Sequence, residues 1–159
     1  MDRLALPMAF LPTIVVNTYA AESYEIYASF EQALFDLGKL RTFKIDFSGI
    51  DASNEHRYAK VIERTVRFEM DFLGIQEDPG QADLLIRYEV YEDEEMTELI
   101  LYLAEPSGHH RLWNGAAHLR VQNRRETPKV LKDAIVHLFM KFEEHLRGQG
   151  LLPNELLAS

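Results

Sequence analysis

Glu89, Glu92, Asp93, Glu94, Glu95 and Glu98 form the densest run of charge in the sequence. Carboxylates crowded into one loop are the ligands that a hard cation such as Ca²⁺ prefers. A calcium loop also needs glycine and carbonyl donors at set offsets, and this run matches none of them. It reads instead as a solvated hairpin whose charge discourages strand edges from pairing between molecules. His109 and His110 sit at a turn, with His118 beyond them, and imidazole pairs bind transition metals. Adjacent residues on a strand point to opposite faces, however, which makes a poor chelate. His56, His137 and His145 fall on polar helix faces and lack the His-Glu-x-x-His spacing of metalloproteases. Ser29, Ser48, Ser53 and Ser107 have no Gly-x-Ser-x-Gly setting, so no nucleophile elbow is expected. Walker and dinucleotide glycine loops are missing as well. These patterns predict no catalytic residue, no cofactor and no metal ligand.

Two other features bear on binding. Arg120, Arg124 and Arg125 make a basic cluster before the last helix, and guanidinium groups there could hold a carboxylate or phosphate. The plainer reading is that they balance neighbouring acids at the surface, where such pairs contribute little. Trp113 lies two positions before Gly115. Its indole can stack on a ligand, or it can pack against the small residue that lets a helix approach. Trp113, Arg120, Arg124 and Arg125 are therefore the candidate interaction residues.

The elements that must position these groups begin with the bulk composition. The chain has 159 residues, 47% hydrophobic and 27% charged. That is enough for one domain with one core, and too apolar for wholesale disorder. The net charge of −9 repels phosphate backbones and anionic lipid heads, which argues against nucleic acid as a partner. Cysteine is absent, so disulfides, thiolate metal sites and cysteine nucleophiles are ruled out. No apolar run reaches the ~20 residues of a membrane-spanning helix.

Residues 1–21 are apolar and admit two readings. Leu4 to Val16, followed by Ala20 and Ala21, has the outline of a secretory signal, although Pro7 and Pro12 interrupt it. Thr13 to Tyr19 reads as a β-strand, the reading that these prolines and the mixed charges of Asp2 and Arg3 favour. Residues 22–148 make a single α/β domain, and 149–159 a tail with little pattern. A strand is expected over Tyr24–Phe30 and a short helical turn over Glu31–Leu37. Phe43, Ile45 and Phe47 then alternate with Thr42, Lys44 and Asp46, the period of a half-buried strand. Asp51, Ser53 and Asn54 are candidate caps for a helix whose apolar face holds Tyr58, Val61, Ile62, Thr65, Phe68, Phe72 and Leu73. Gly74 should end it.

Three strands follow. Leu84, Ile86, Tyr88 and Val90 share one face, as do Leu99, Leu101 and Leu103 of the next strand. Asp93-Glu94-Glu95-Met96 is the tight turn between them. His110–Val121 is the third strand, with Gly115 marking a bulge or a close helix approach. In the final helix Thr127 reads as the N-cap, Pro128 as the first helical residue, and Leu131, Ala134, Ile135, Leu138, Phe139, Phe142 and Leu146 as the buried stripe. The predicted fold is α+β: a two-layer sandwich in the order β-β-α-β-β-β-α, its mixed, mostly antiparallel sheet of four to five strands covered on one face by both helices.

Ala82-Asp83-Leu84-Leu85-Ile86-Arg87-Tyr88, Leu99-Ile100-Leu101 with Glu105-Pro106-Ser107-Gly108, and Leu112-Trp113-Asn114-Gly115-Ala116-Ala117 occur in this order. Together with Leu40-Arg41-Thr42-Phe43 and the closing helix Ala134–Phe142, they resemble the bacterial envelope lipoproteins of the domain-of-unknown-function 4136 family, over roughly residues 24 to 146. The resemblance implies an exported, periplasmic or envelope protein, often lipid-anchored through an N-terminal cysteine, with no assigned catalytic residues. The chain departs from that pattern in having no cysteine and in replacing a long glycine- and aromatic-rich insertion with the acidic turn. Both departures speak against membrane tethering.

The expected function is a non-catalytic envelope-type domain that binds a partner protein or a small apolar ligand. Self-association is a further possibility if Thr13–Tyr19 or Tyr24–Phe30 is a border strand with unpaired backbone groups. The lead-in Leu4–Leu11 would then cover apolar surface. The competing reading is a cytoplasmic metal-dependent protein or enzyme that uses the acidic hairpin with His109, His110 or His118.

Overall fold

The computed structural model describes residues 14–20, 23–31, 40–47, 52–107 and 111–148. In chain order the elements are β1 (Ile14–Ala20), β2 (Tyr24–Glu31), β3 (Thr42–Phe47), α1 (Ala52–Phe72), β4 (Gln76–Glu77), β5 (Leu84–Glu92), β6 (Thr97–Ala104), β7 (Arg111–Leu119) and α2 (Thr127–Gly148). One sheet takes the order β1-β2-β7-β6-β5-β3-β4. Both helices pack on one of its faces, an α+β sandwich as the periodicity predicts. The sheet has seven strands rather than four to five. One of the added strands is β1, which pairs with β2 along its whole length and leaves β2 interior, between β1 and β7. The other is β4, whose two residues are too few to show a period. It is held by backbone bonds from Gln76 to Arg41 (3.0 Å) and from Asp78 to Phe43 (2.8 Å).

β5, β6 and β7 form the expected antiparallel meander. β3 lies parallel to β5, a pairing that needs a crossover, which α1 supplies. Alternation sends Leu84, Ile86, Tyr88, Val90, Leu99, Leu101 and Leu103 into the core. Phe43 is buried and Ile45 partly so, while the Phe47 side chain lies outside the described residues. Asp93 builds the hairpin turn: its carboxylate accepts both the Glu95 and the Met96 N–H at 2.8 Å. Those two bonds hold its carboxyl below the ordinary range.

Every residue of the expected α2 stripe is buried. Its start differs from expectation. Thr127 already has helical dihedrals, and a single 3₁₀ turn, Arg124–Glu126, precedes it. Asn123 is the cap, its side chain accepting the Arg125 N–H. Thr127 is instead buried beneath the helix start. At the end of α1, Gly74 takes φ +79°. The Ile75 N–H reaches the Met70 carbonyl at 3.0 Å and the Gly74 N–H that of Asp71 at 2.9 Å, the paired bonds of a left-handed glycine cap.

Helix α1 is rotated from the expected face. Tyr58, Ile62, Val66, Met70 and Leu73 point inward, with Thr65 and Glu69 beside them. Phe68 and Phe72 are 68% and 50% exposed. Steps of three and four residues from Tyr58 lead to Ile62, Thr65, Val66, Glu69 and Met70, and Phe68 and Phe72, three beyond Thr65 and Glu69, stand at the outer edge of that face. Of the expected caps, Ser53 and Asn54 fall within α1, and Asp51 lies outside the described residues. So do the turn after Glu31, the lead-in Leu4–Leu11, His109, His110 and the tail. Glu31 itself closes β2.

Gly115 marks a close approach and not a bulge. Its register with Ala28 and Leu101 is regular, and the irregular step lies at Leu103/Ala104. A Cβ at Gly115 would meet the Trp113 ring at 2.6 Å and Leu138 at 3.0 Å. Trp113 is 1% exposed and packs edge-on to Phe142 at 5.4 Å between centroids.

Candidate functional site

The polar groups converge most densely where β5 ends. Glu92 is the last residue of β5 on the core-facing side, and its side chain is 5% exposed. One carboxylate oxygen accepts from the Tyr58 hydroxyl (2.6 Å), the Thr97 hydroxyl (2.9 Å) and the Arg124 guanidinium (2.9 Å). The other accepts from Arg57 at 2.9 Å. Burial pushes this carboxyl up, but the hydroxyls of Tyr58 and Thr97 and the charges of Arg124 and Arg57 outweigh it and hold it below the ordinary range. Burial, with Glu92 as acceptor, raises the Tyr58 phenol. Arg124 also donates to the Asp93 carbonyl at 2.6 Å. The junction ties the start of α1, the β5–β6 hairpin and the turn before α2 into one knot. The adjoining cavity is about 10 Å³, room for at most one water. It is a strut, with no space for a ligand.

The other candidates fall on separate surfaces. Trp113 is closed to solvent inside the core, so packing is the role its position supports. Arg120 is exposed, 3.7 Å from Glu25. Arg125 is exposed, and its position serves the turn through its backbone N–H. Arg124 belongs to the Glu92 knot, so the three arginines form no common cradle. On the helix-free face His118 pairs with Glu98 at 2.7 Å and lies 5.2 Å from the Tyr27 ring. Among the described residues no three histidine or acidic side chains converge as a metal site. A shallow depression of about 380 Å³ on the outer side of α1 is lined by Lys60, Glu63, Arg64 and Arg67. Arg67 is already spoken for there, by Glu77 at 2.9 Å and Glu63 at 3.3 Å.

The seam between the helices is different. α1 and α2 lie in contact and run parallel, since Tyr58 near one start acts on Thr127 at the other, and Glu69 farther along faces Glu143. Phe68 and Phe72 from α1 and Met140 from α2, the last 47% exposed, stand outward. Phe72 follows Glu69 by three positions and Phe68 by four, while Met140 precedes Glu143 by three. Residues at these spacings share a flank, so spacing sets Phe72 on the flank of Glu69 and Met140 on that of Glu143, along the seam between the helices. The sequence reading placed Phe68 and Phe72 on the inward face and did not single out Glu69. Spacing alone would have placed Glu69 inward, four residues from both Thr65 and Leu73.

No family model matches the chain, and no curated protein matches it. Among solved structures it is similar to a PDZ domain protein from Parabacteroides distasonis, with a TM-score of 0.60 at 16% identity. That likeness covers 89% of this chain but 40% of the other, and it shows a shared fold. A PelC dodecamer from Paraburkholderia phytofirmans aligns with TM-score 0.45 at 11% identity, over 79% of this chain and 94% of that one. TolB from Acinetobacter baumannii aligns with TM-score 0.38 at 10% identity, over 78% and 31%. No described helix is long and apolar enough to cross a membrane.

Proposed function

We propose that this chain is a non-catalytic binding domain of the bacterial cell envelope that takes an apolar surface of a partner on the outside of its helix layer. The observation that carries the binding half is the exposure of Phe68 and Phe72 on α1 and Met140 on α2, while the densest polar cluster is saturated by its own hydrogen bonds. Exposed large apolar groups that border a continuous groove mark interaction surfaces. The envelope half rests on the resemblance of Ala82–Tyr88, Leu99–Leu101 and Leu112–Ala117 to that family of envelope proteins.

Two measurements test this reading. Fractionation of cells that make the full-length protein should recover it with the envelope; recovery with cytoplasmic enzymes overturns the location. A neutral apolar dye such as Nile red should brighten on the purified chain, and Phe68→Ser with Phe72→Ser should abolish the effect. Equal brightening in the double variant would remove the groove as the binding surface.

A further inference from the structure

Glu69 is 8% exposed, on the flank of α1 that faces α2. Among the described residues its carboxylate has no hydrogen bond and no ion pair, and the one charge that acts on it is that of Glu143. Burial pushes the Glu69 carboxyl up, and Glu143 pushes it further. Burial raises Glu143 too, with Arg147 opposing and Glu144 adding. Arg147 thus acts on Glu143, and among the described residues no cation pairs with Glu69. A buried charge without a partner is costly, and a leucine at this position would pack without that cost.

The surroundings of Glu69 define what would satisfy it. Phe68 precedes it and Phe72 lies one turn beyond it on α1, and Met140 lies one turn before Glu143, the α2 residue whose charge acts on Glu69. A carboxylate set among exposed aromatic and thioether groups fits a Lys or Arg side chain. The alkyl stem lies on the apolar walls, the charged head reaches the carboxylate, and the rings add attraction for the cation. Two parallel helices present a linear groove, the shape in which an amphipathic helix docks its apolar face. The net charge of −9 favours approach of a basic segment. We propose that the α1–α2 groove docks an amphipathic helix of a partner protein that carries a Lys or Arg within its apolar face, with Glu69 as the receptor for that cation. This rests on the binding-domain reading and adds the chemistry of the partner.

The probes are three synthetic amphipathic peptides of one Leu/Ala pattern, with Lys, Gln or Glu at the central position of the apolar face. Binding to the full chain is followed by fluorescence anisotropy. The Lys peptide should bind at least about tenfold tighter than the Gln peptide, the size of one charge-assisted pair, and the Glu peptide should bind weakest. Glu69→Gln should erase the Lys preference and leave Gln-peptide binding intact. A change of equal charge at the far hairpin, Glu95→Gln, should leave the preference in place, which separates a local receptor from the overall negative field. Melting curves verify that each variant is folded.

Equal binding of the Lys and Gln peptides, both lost in Phe68→Ser/Phe72→Ser, overturns the cation receptor and leaves the apolar binding surface standing. No binding of any peptide together with no dye response overturns both. A Lys preference that survives Glu69→Gln moves the receptor elsewhere. Concentration-dependent doubling of the mass by light scattering, abolished by Phe68→Ser, would make a second copy the occupant and overturn the proposal.

Discussion

Glu92 and Glu69 are both withdrawn from water beside α1, with a side chain 5% exposed in the first case and a residue 8% exposed in the second. Glu92 collects two hydroxyls and two guanidinium groups and is held more acidic than usual. Glu69 has no hydrogen bond or ion pair among the described residues, faces a second carboxylate and is held less acidic. Similar burial thus gives opposite electrostatic outcomes, and the difference lies in what the neighbouring elements deliver. At the Glu92 end a strand terminus, a helix start and a capped turn meet and can each contribute a polar group. Along the helix seam two largely apolar stripes meet, and among the described residues none donates to the Glu69 carboxylate. A saturated buried charge is a fastener, and an unsaturated one is a place for a partner.

The largest expected effect sets the scale for both regions. Phe142 lies on the buried face of α2 against Trp113 and Phe139, so Phe142→Ala should cost about 3–5 kcal/mol through the cavity it leaves. Urea unfolding measures this, and a loss under about 1 kcal/mol would mean that α2 is not seated as described. Next comes the fastener itself. Glu92→Ala strands Arg57, Arg124, Tyr58 and Thr97 and should cost about 2–3 kcal/mol. That is less than for a fully buried pair, because the two arginine side chains are 57% and 49% exposed. Glu69→Leu should move stability the other way, up by about 1 kcal/mol near pH 7. If both substitutions destabilise alike, the contrast between the two carboxylates is lost.

The smallest effect is the pH dependence, where the two regions should differ in sign. The native carboxyl of Glu92 titrates below its ordinary value near 4.5. Its stabilisation is therefore present above that value and is lost as pH falls through the native one. Glu69 and Glu143 titrate above the same ordinary value, so they bind a proton more tightly in the native state than in the unfolded chain. Their contribution is best in acid and falls as pH rises from about 4.5 through their native values. Melting temperatures between about pH 3 and pH 7 should show the deficit of Glu92→Gln opening as pH rises. Over the same range Glu69→Gln should gain on the unsubstituted chain. Parallel trends for the two variants would contradict the assignment of their surroundings.

What the sequence determined by itself is what local periodicity and turn chemistry encode. The α2 stripe from Leu131 to Leu146, the alternation in β5 and β6, the glycine stop at Gly74 and the two-layer α+β class all follow from spacing, because a helix or strand repeats its faces whatever it later packs against. Gly115 belongs here in part: its smallness announced a close approach, although the approaching atoms of Trp113 and Leu138 did not show in the sequence. The tertiary structure alone decided the rest. An aromatic stripe and a Val-Met stripe on α1 are equally apolar on paper, and only the docking of α1 against β5 and α2 turned Val66 and Met70 inward and left Phe68 and Phe72 outside. Glu92 looked like its neighbours in an acidic run until Arg57 and Arg124, distant in sequence, closed on it. Charge satisfaction depends on what comes within about 3–4 Å in space, and neither Glu92's abundance of donors nor Glu69's lack of them can be read from spacing along the chain.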